Sequence, residues 1–184
     1  MDTKKLLESY DEVIKSCKNI FITKSNEYGN SWVVMRPPSM TDQISIKAWR
    51  VRTIWDKKKQ KIEDEILFDF YAIINYCIMA IIKLDNEKVD ISDENIGKNY
   101  DAIVLNNKLL LEKKNHDYGN SWSLMRKESI IDLILVKINR IKHMETFEGR
   151  PKIISSEGVA SNYMDILNYT FFLILRLGEC FSCS

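Results

Sequence analysis

Turn-forming residues are scarce in this chain of 184 residues, which contains six glycines and three prolines. Strand-rich folds need frequent tight turns, so this scarcity favours a few long helices. An excess of one charge is also lacking, because 27 basic residues oppose 26 acidic residues and leave a formal net charge of +1. No overall field therefore attracts the chain to a nucleic acid or an anionic membrane.

Several catalytic motifs and targeting signals are missing as well. The chain has no Gly-rich phosphate loop, no GxSxG nucleophile motif and no HExxH zinc motif. The longest apolar run, about residues 70–84, is too short to span a bilayer comfortably, and the polar N-terminus has no apolar signal core. These absences predict a cytoplasmic protein that does not enter the membrane.

The four cysteines do not form the pattern of a typical zinc site. Cys17 and Cys77 lie in apolar helical patterns, so we expect ordinary buried thiols. Cys180 and Cys183 form one CxxC, which lacks a second pair of ligands, and a frayed C-terminal tail is the favoured interpretation.

What the chain does contain is a repeat. Residues 27–32 read EYGNSW and residues 117–122 read DYGNSW, at an offset of 90. The offset becomes 93 after a short insertion. The aligned pairs include Lys24 with Lys114, Arg36 with Arg126, Asp42 with Asp132, Lys47 with Lys137, Arg50 with Arg140, and Asn75 with Asn168. We interpret the chain as a tandem duplication, with repeats at residues 1–85 and 95–184 packed as one globular domain.

Each repeat has the pattern of three helices. The first is amphipathic and stops at Gly29 or Gly119, where glycine allows a positive φ. The second begins at an apparent capping box, Ser39–Asp42 or Ser129–Asp132. The third carries an apolar stripe too wide to bury within one repeat. We therefore predict an all-α fold of about six helices, a pseudo-twofold helical bundle made from a duplicated three-helix unit.

Repeated cations on the second helix are candidates for binding phosphate. Lys47 with Arg50, and Lys137 with Arg140, have i,i+3 spacing and share one helix face. An anion between two such cations relieves their repulsion, and a guanidinium grips phosphate with two hydrogen bonds. Arg36 and Arg126 could join them from the preceding connection. The alternative is a solvated basic face paired with carboxylates from the other repeat, and both interpretations stay open.

Repeated amide and aromatic side chains have two interpretations each. Asn75 and Asn168 lie in the most apolar helices, so they need hydrogen-bond partners, either across the core or on a base or sugar. The aromatic rings beside the glycines either fill the core or stack on a nucleobase. These aromatic candidates are Tyr28, Trp32, Tyr118 and Trp122.

In order, the repeated residues follow K-x-x-D/E-Y-G-x-S-W, then S-x-x-D-x-x-x-x-K-x-x-R, then a late Asn-Tyr. This pattern resembles the domain of unknown function 1599 family, also called nucleotide modification associated domain type 1. The resemblance covers nearly the whole chain and implies a link to nucleotide metabolism. The helical pattern is also similar, more distantly, to all-α nucleoside triphosphate pyrophosphatases, which hold Mg²⁺ with ExxE and ExxD carboxylates.

The chain departs from that carboxylate pattern. Glu145 and Glu148 have the ExxE spacing, but the motif is not duplicated and no ExxD follows it. If the chain is an enzyme, we expect the catalytic acids to be Asp117, Asp132, Glu157 and Asp165. Asp132 and Asp165 would then hold a Mg²⁺ ion that polarises a phosphate.

Three functions remain open at this point. The first is a nucleotide-binding protein that acts as a metal-dependent (d)NTP phosphohydrolase or pyrophosphatase. The second is a binding module that holds a nucleotide or another anion without turnover. The third is a structural or assembly protein with no ligand. The expected partner is a nucleotide or another phosphate-bearing small molecule; a nucleic acid is not expected, and self-association into a homo-oligomer stays open.

Overall fold

The computed structural model describes residues 2–62, 65–85, 93–145 and 156–181, with only the backbone at 85, 93, 156–157 and 179–181. Within these ranges the chain forms six α-helices and no strand, so the all-α prediction is confirmed. The helices are α1 (Thr3–Tyr28), α2 (Pro37–Lys57), α3 (Ile66–Asp85), α4 (Asp93–Tyr118), α5 (Lys127–Glu145) and α6 (Ser156–Phe181). Short 3₁₀ turns at Ser31–Val34 and Ser121–Leu124 follow α1 and α4. This element order is the one expected from a duplicated three-helix unit.

Glycine ends the first helix of each repeat, as predicted. Gly29 has φ 63° and ψ −172°, a conformation that is essentially restricted to glycine, and Gly119 has φ 58°. The chain therefore leaves each long helix abruptly and enters the 3₁₀ turn that carries the tryptophan.

The predicted capping boxes are wrong. The second helix begins two residues before the expected serine, at Pro37, with Arg36 in the N-cap position and no side-chain cap hydrogen bond. Proline suits the first helical position because its φ is already helical and its missing N–H is not needed there. In the second repeat α5 begins at Lys127. Ser39 and Ser129 therefore lie within the first turn of their helices.

The core lies where the third helices of the two repeats meet. Helices α3 and α6 pack on each other, α2 packs on α3 and α5, and α5 also packs on α6. Helix α1 lies against α3, α4 and α6. The predicted stripes are buried in both third helices. These buried residues include Phe70, Ile73, Ile74, Cys77, Ile78 and Ile81 in α3, and Val159, Tyr163, Ile166, Leu167, Thr170 and Ile174 in α6.

Helix α3 is apolar enough to raise the question of a membrane. By length and composition, Ile66–Leu84 could cross a bilayer, and no other described helix meets that test. Yet 61% of this stretch is buried inside the protein, which is also typical of a central core helix. The helix therefore gives only weak evidence for a membrane span.

Reciprocal ion pairs join the two repeats. Lys18 contacts Asp101 at 2.6 Å, and the pair at the same offset, Lys108 with Asp11, is 2.7 Å apart. A second reciprocal set joins α2 to α5. It consists of Arg52 with Asp132 at 3.2 Å and Lys142 with Asp42 at 2.8 Å. These pairs are partly exposed, so each contributes at most about 1 kcal/mol, but their matching positions fix the register between the repeats.

Candidate functional site

Two cavities lie at equivalent places in the two repeats. The first cavity, of about 710 Å³, lies between α1, the first 3₁₀ turn, α2 and α3. The second cavity, of about 330 Å³, lies between α4, the second 3₁₀ turn and α6, with one residue of α5. Most lining positions match at the offsets of 90 and 93. The matched pairs are Phe21/Leu111, Lys24/Lys114, Ser25/Asn115, Tyr28/Tyr118, Gly29/Gly119, Ser31/Ser121, Trp32/Trp122, Met35/Met125, Gln43/Leu133, Ala72/Asp165, Asn75/Asn168, Tyr76/Tyr169 and Met79/Phe172.

In the first cavity, an aspartate of α3 holds the predicted phosphate-binding cations. Asp69, whose side chain is 6% exposed, accepts a hydrogen bond from Lys47 Nζ at 3.0 Å and another from the Arg50 guanidinium. The carboxylate comes from the same repeat, not from the other one. Lys24, by contrast, is exposed at the cavity and forms no ion pair or hydrogen bond with the described residues.

In the second cavity, a different carboxylate satisfies the lysines. Asp165 accepts hydrogen bonds from Lys114 Nζ and Lys137 Nζ, each at 2.7 Å. Burial alone would raise the pKa of Asp165, but the hydrogen bonds and positive charges of the two lysines outweigh it and hold that pKa below its ordinary value. The second cavity thus contains the negatively charged carboxylate of Asp165, which two lysines hold in place.

The tryptophans of the 3₁₀ turns line their cavities and share an unusual feature. Trp32 packs against Phe21 at a centroid distance of 6.2 Å, and Trp122 stacks on Phe172 at 4.8 Å with an interplanar angle of 5°. The indole Nε1–H of each ring is buried and has no acceptor among the described residues. A buried donor without an acceptor is costly, so its recurrence in both repeats is a feature of the motif rather than an accident.

The carbonyls of each 3₁₀ turn receive a cation from the end of the third helix. Lys83 Nζ donates to the Val33 carbonyl at 2.5 Å, and Arg176, at the equivalent position, donates to the Ser123 carbonyl at 3.1 Å. The side chain at the end of the third helix therefore fixes the turn that positions the tryptophan. The sequence already contained this signal, since both positions are basic at the offset of 93.

The paired asparagines find hydrogen-bond partners within the core, and only Asn75 bonds directly to the other repeat. Asn75 Nδ2 donates to the Cys17 carbonyl at 3.0 Å, and its Oδ1 accepts from the Tyr100 hydroxyl of the other repeat at 2.9 Å. Asn168 exchanges hydrogen bonds with the Asn107 side chain, at 2.8 and 3.2 Å. Both asparagines line their cavities, yet the protein itself supplies partners for their amide groups.

The described acids that were predicted as catalytic have different partners. Asp132 faces Arg52 of the first repeat, and the exposed Asp117 lies 3.1 Å from His116 Nδ1. Asp165 lies between two lysines, and the Glu157 side chain lies outside the described residues. No group of three His, Cys, Asp or Glu side chains that could hold a metal occurs among the described residues. A Mg²⁺ ion held by Asp132 and Asp165 stays a prediction.

The remaining predicted cations lie outside the cavities. Arg36 and Arg126 are exposed at the starts of α2 and α5, and Arg140 is exposed on α5. The sequence did not single out Lys24 and Lys114 as binding residues, although both fall in the 90-residue register. It did not single out Asp69 either, because an aspartate present in one repeat gives no repeat signal.

A buried polar cluster between the repeats occurs on one side of the molecule. Thr41 Oγ1 donates to Glu145 Oε1 at 2.8 Å and lies 2.6 Å from the Tyr163 hydroxyl. The equivalent positions on the other side are apolar: Ile131, Trp55 and Phe70. Burial raises the pKa of Glu145 above its ordinary value, against the opposing hydrogen bonds of Thr41 and Tyr163. Ionisation of Glu145 therefore costs stability.

This cluster predicts a pH-dependent gain from Glu145→Gln. Because the folded pKa is raised, the stability contributed by the protonated acid is complete at low pH and is lost as pH rises through the folded pKa. The amide cannot ionise and can still accept from Thr41. We therefore expect the variant to melt roughly 2 °C above wild type at pH 7, with the gain disappearing near pH 4. Melting curves from pH 4 to 8 measure this, and a variant less stable at every pH would contradict it.

Comparison with known proteins gives one family and no individual relative. The family model described as nucleotide modification associated domain 1 matches residues 24–84 and 114–177. Each matched segment starts at the cavity lysine and runs into the third helix, so it includes nearly all of one cavity lining. No curated protein and no solved structure matches the chain. The chain belongs to the nucleotide modification associated domain 1 family.

Proposed function

We propose that this protein binds a nucleotide, or another small molecule with a phosphate group and a planar ring, in the first cavity. The observation that carries the proposal is the difference between two equivalent lysines. Lys114 is held by Asp165 in the second cavity, whereas Lys24 has no ion pair among the described residues and is exposed at the first. A lysine available beside a cavity is a natural partner for an anionic group.

The size and lining of the first cavity suit a ligand of this class. Its volume of about 710 Å³ lies within the usual range for small-molecule sites, about 300–1,000 Å³. The rings of Tyr28, Trp32, Phe68 and Tyr76 line it, and Tyr28 is 71% exposed. Aromatic rings near a cation can stack on a base while the cation holds the phosphate. The family name, which refers to nucleotide modification, agrees with such a ligand.

The second cavity is a poorer candidate. At about 330 Å³ it is less than half the size, and the Asp165 carboxylate already pairs with its lysine, Lys114, and with the neighbouring Lys137. Hydrolysis of the bound nucleotide with Mg²⁺ remains a prediction; adding Mg²⁺ to the assay below and measuring released phosphate addresses it.

A nucleotide panel tests the proposal. Nucleoside mono-, di- and triphosphates are added to the wild type, and affinity is measured by calorimetry. Lys24→Met should weaken binding by at least about tenfold, because it removes a charge-assisted hydrogen bond. Lys15→Met is the matched control, since Lys15 is an exposed lysine of α1 that lines neither cavity. No binding by the wild type, or equal affinity in the two variants, overturns the proposal.

A further inference from the structure

The third helix of each repeat carries an aspartate, but the two aspartates lie at positions that differ by one helical turn. At the offset of 93, Asp165 of the second repeat corresponds to Ala72 of the first, and Asn162 corresponds to Asp69. Each repeat thus places one aspartate on this face of its third helix, but one turn apart. Both aspartates bind the lysine of the second helix, Lys47 or Lys137. They differ in the other cation that they bind.

As a result, the first cavity has no carboxylate at the position equivalent to Asp165. The Asp165 carboxylate lies between Lys114 and Lys137, whose counterparts are Lys24 and Lys47. In the first cavity the equivalent turn carries Ala72, whose methyl side chain offers no charge, and both lysines line the cavity. Lys47 can still bind a second anion, because an ammonium has three donors and its side chain is 30% exposed.

We propose that the phosphate of the bound ligand lies beside Ala72 between Lys24 and Lys47, at the place that the Asp165 carboxylate takes in the second cavity. Asp165 is then an internal substitute for that phosphate, and it keeps the second cavity from binding the same ligand. This inference rests on the proposed function and adds to it the position of the anion and the number of sites per chain.

Neighbouring substitutions also reduce the space in the second cavity. Phe172 replaces Met79 and stacks on Trp122, and Leu133 replaces the polar Gln43. Removing the carboxylate alone would free the two lysines but leave the ring of Phe172 in place. We therefore test for a second binding site with Asp165→Ala together with Phe172→Met, which restores the residues of the first repeat at the carboxylate and at the stacked ring.

Two double variants test the inference. Asp165→Ala with Phe172→Met gives the second repeat the residues of the first at these two positions, and Ala72→Asp with Asp69→Asn gives the first repeat the aspartate placement of the second. The probes are the four deoxynucleoside 5′-monophosphates, with the matching nucleosides as controls that lack phosphate. Calorimetry gives the number bound per chain. Acylation of lysines, read by peptide mass spectrometry with Lys15 as reference, reports whether Lys24 and Lys114 are accessible.

The wild type and the two variants should differ in the binding of monophosphate and in the reactivity of Lys24 and Lys114. The wild type binds one monophosphate per chain, which protects Lys24 and leaves the reactivity of Lys114 unchanged. The variant without Asp165 binds two, and Lys114 becomes reactive without nucleotide and protected with it. The variant with Ala72→Asp loses binding by at least about tenfold, and its Lys24 is shielded without nucleotide. Circular dichroism verifies that both variants fold, and each variant tests the inference separately.

Each negative result contradicts a different claim. If the wild type binds no nucleotide, the proposed function is overturned. If the wild type binds but Ala72→Asp with Asp69→Asn binds equally well, the phosphate does not lie beside Ala72. If Asp165→Ala with Phe172→Met still binds one monophosphate and Lys114 stays unprotected, Asp165 is not what closes the second cavity. Equal binding of nucleosides and monophosphates would show that no phosphate is recognised.

Discussion

Replacing Asp69 by asparagine should lower the free energy of unfolding by about 3 kcal/mol. The Asp69 side chain is 6% exposed and pairs with both Lys47 and Arg50, so the variant removes the negative charge that lies between two cations. Breaking a buried ion pair by removing one partner typically costs about 3–5 kcal/mol. The lower end applies because Lys47 and Arg50 are 30% and 23% exposed and can reach water.

Urea denaturation at neutral pH measures this loss. Asp101→Asn is the matched control, since Asp101 also pairs with a lysine but its side chain is 61% exposed. An exposed pair contributes about 0–1 kcal/mol, so the control should stay close to wild type. If the two variants lose the same stability, the Asp69 cluster does not stabilise the fold.

Asp69→Asn should change the stability of the protein and its affinity for anions in opposite directions. Asp69 lines the first cavity, and its charge opposes the binding of a phosphate there. Without it, Lys47, which lines the cavity, loses the carboxylate that holds it and gains more from a bound anion. If the proposed function holds, Asp69→Asn is less stable alone but is stabilised more by a nucleotide than the wild type is. Asp69 thus stabilises the protein without ligand and lowers its affinity for a phosphate in the first cavity.

The fold could be predicted because it depends on local sequence patterns that occur in both repeats. Helical periodicity placed Ile73, Cys77 and Ile78 in the core, and the stop at Gly29 needs only the conformational freedom of glycine. The repeated YGNSW phrase fixed the register that aligned the two cavities. The capping boxes failed because a serine three residues before an aspartate fits the pattern anywhere near a helix start, and Pro37 set the start earlier.

The candidate site could be predicted only in part, because charge pairing depends on which helix faces which. Lys47 and Tyr28, which the sequence predicts to bind a ligand, line the first cavity, but the sequence could not show that Asp69 already holds Lys47. Asp132 is five residues before Lys137 on α5, which places the two about 140° apart around the helix. One faces the other repeat and one faces α6, so Asp132 and Asp165 have different cation partners.

Replacing Asn107 by alanine should lower the free energy of unfolding by about 2–4 kcal/mol. Asn107 is completely buried, donates to the Tyr10 hydroxyl at 3.0 Å and exchanges two hydrogen bonds with Asn168. The variant leaves the side-chain oxygen and nitrogen of Asn168, which is 4% exposed, without these partners and opens a void. Each orphaned buried polar group costs about 1–3 kcal/mol.

The first repeat supplies the matched control, because Cys17 occupies the position equivalent to Asn107. There the asparagine of the third helix, Asn75, bonds to the backbone carbonyl of residue 17, so Cys17→Ala removes no acceptor. Its cost is the buried sulfur alone, about 1 kcal/mol. Thermal and urea denaturation of both variants should therefore give a clear difference. Equal losses would mean that Asn168 finds another partner, most directly the backbone carbonyl of residue 107, as Asn75 does with residue 17.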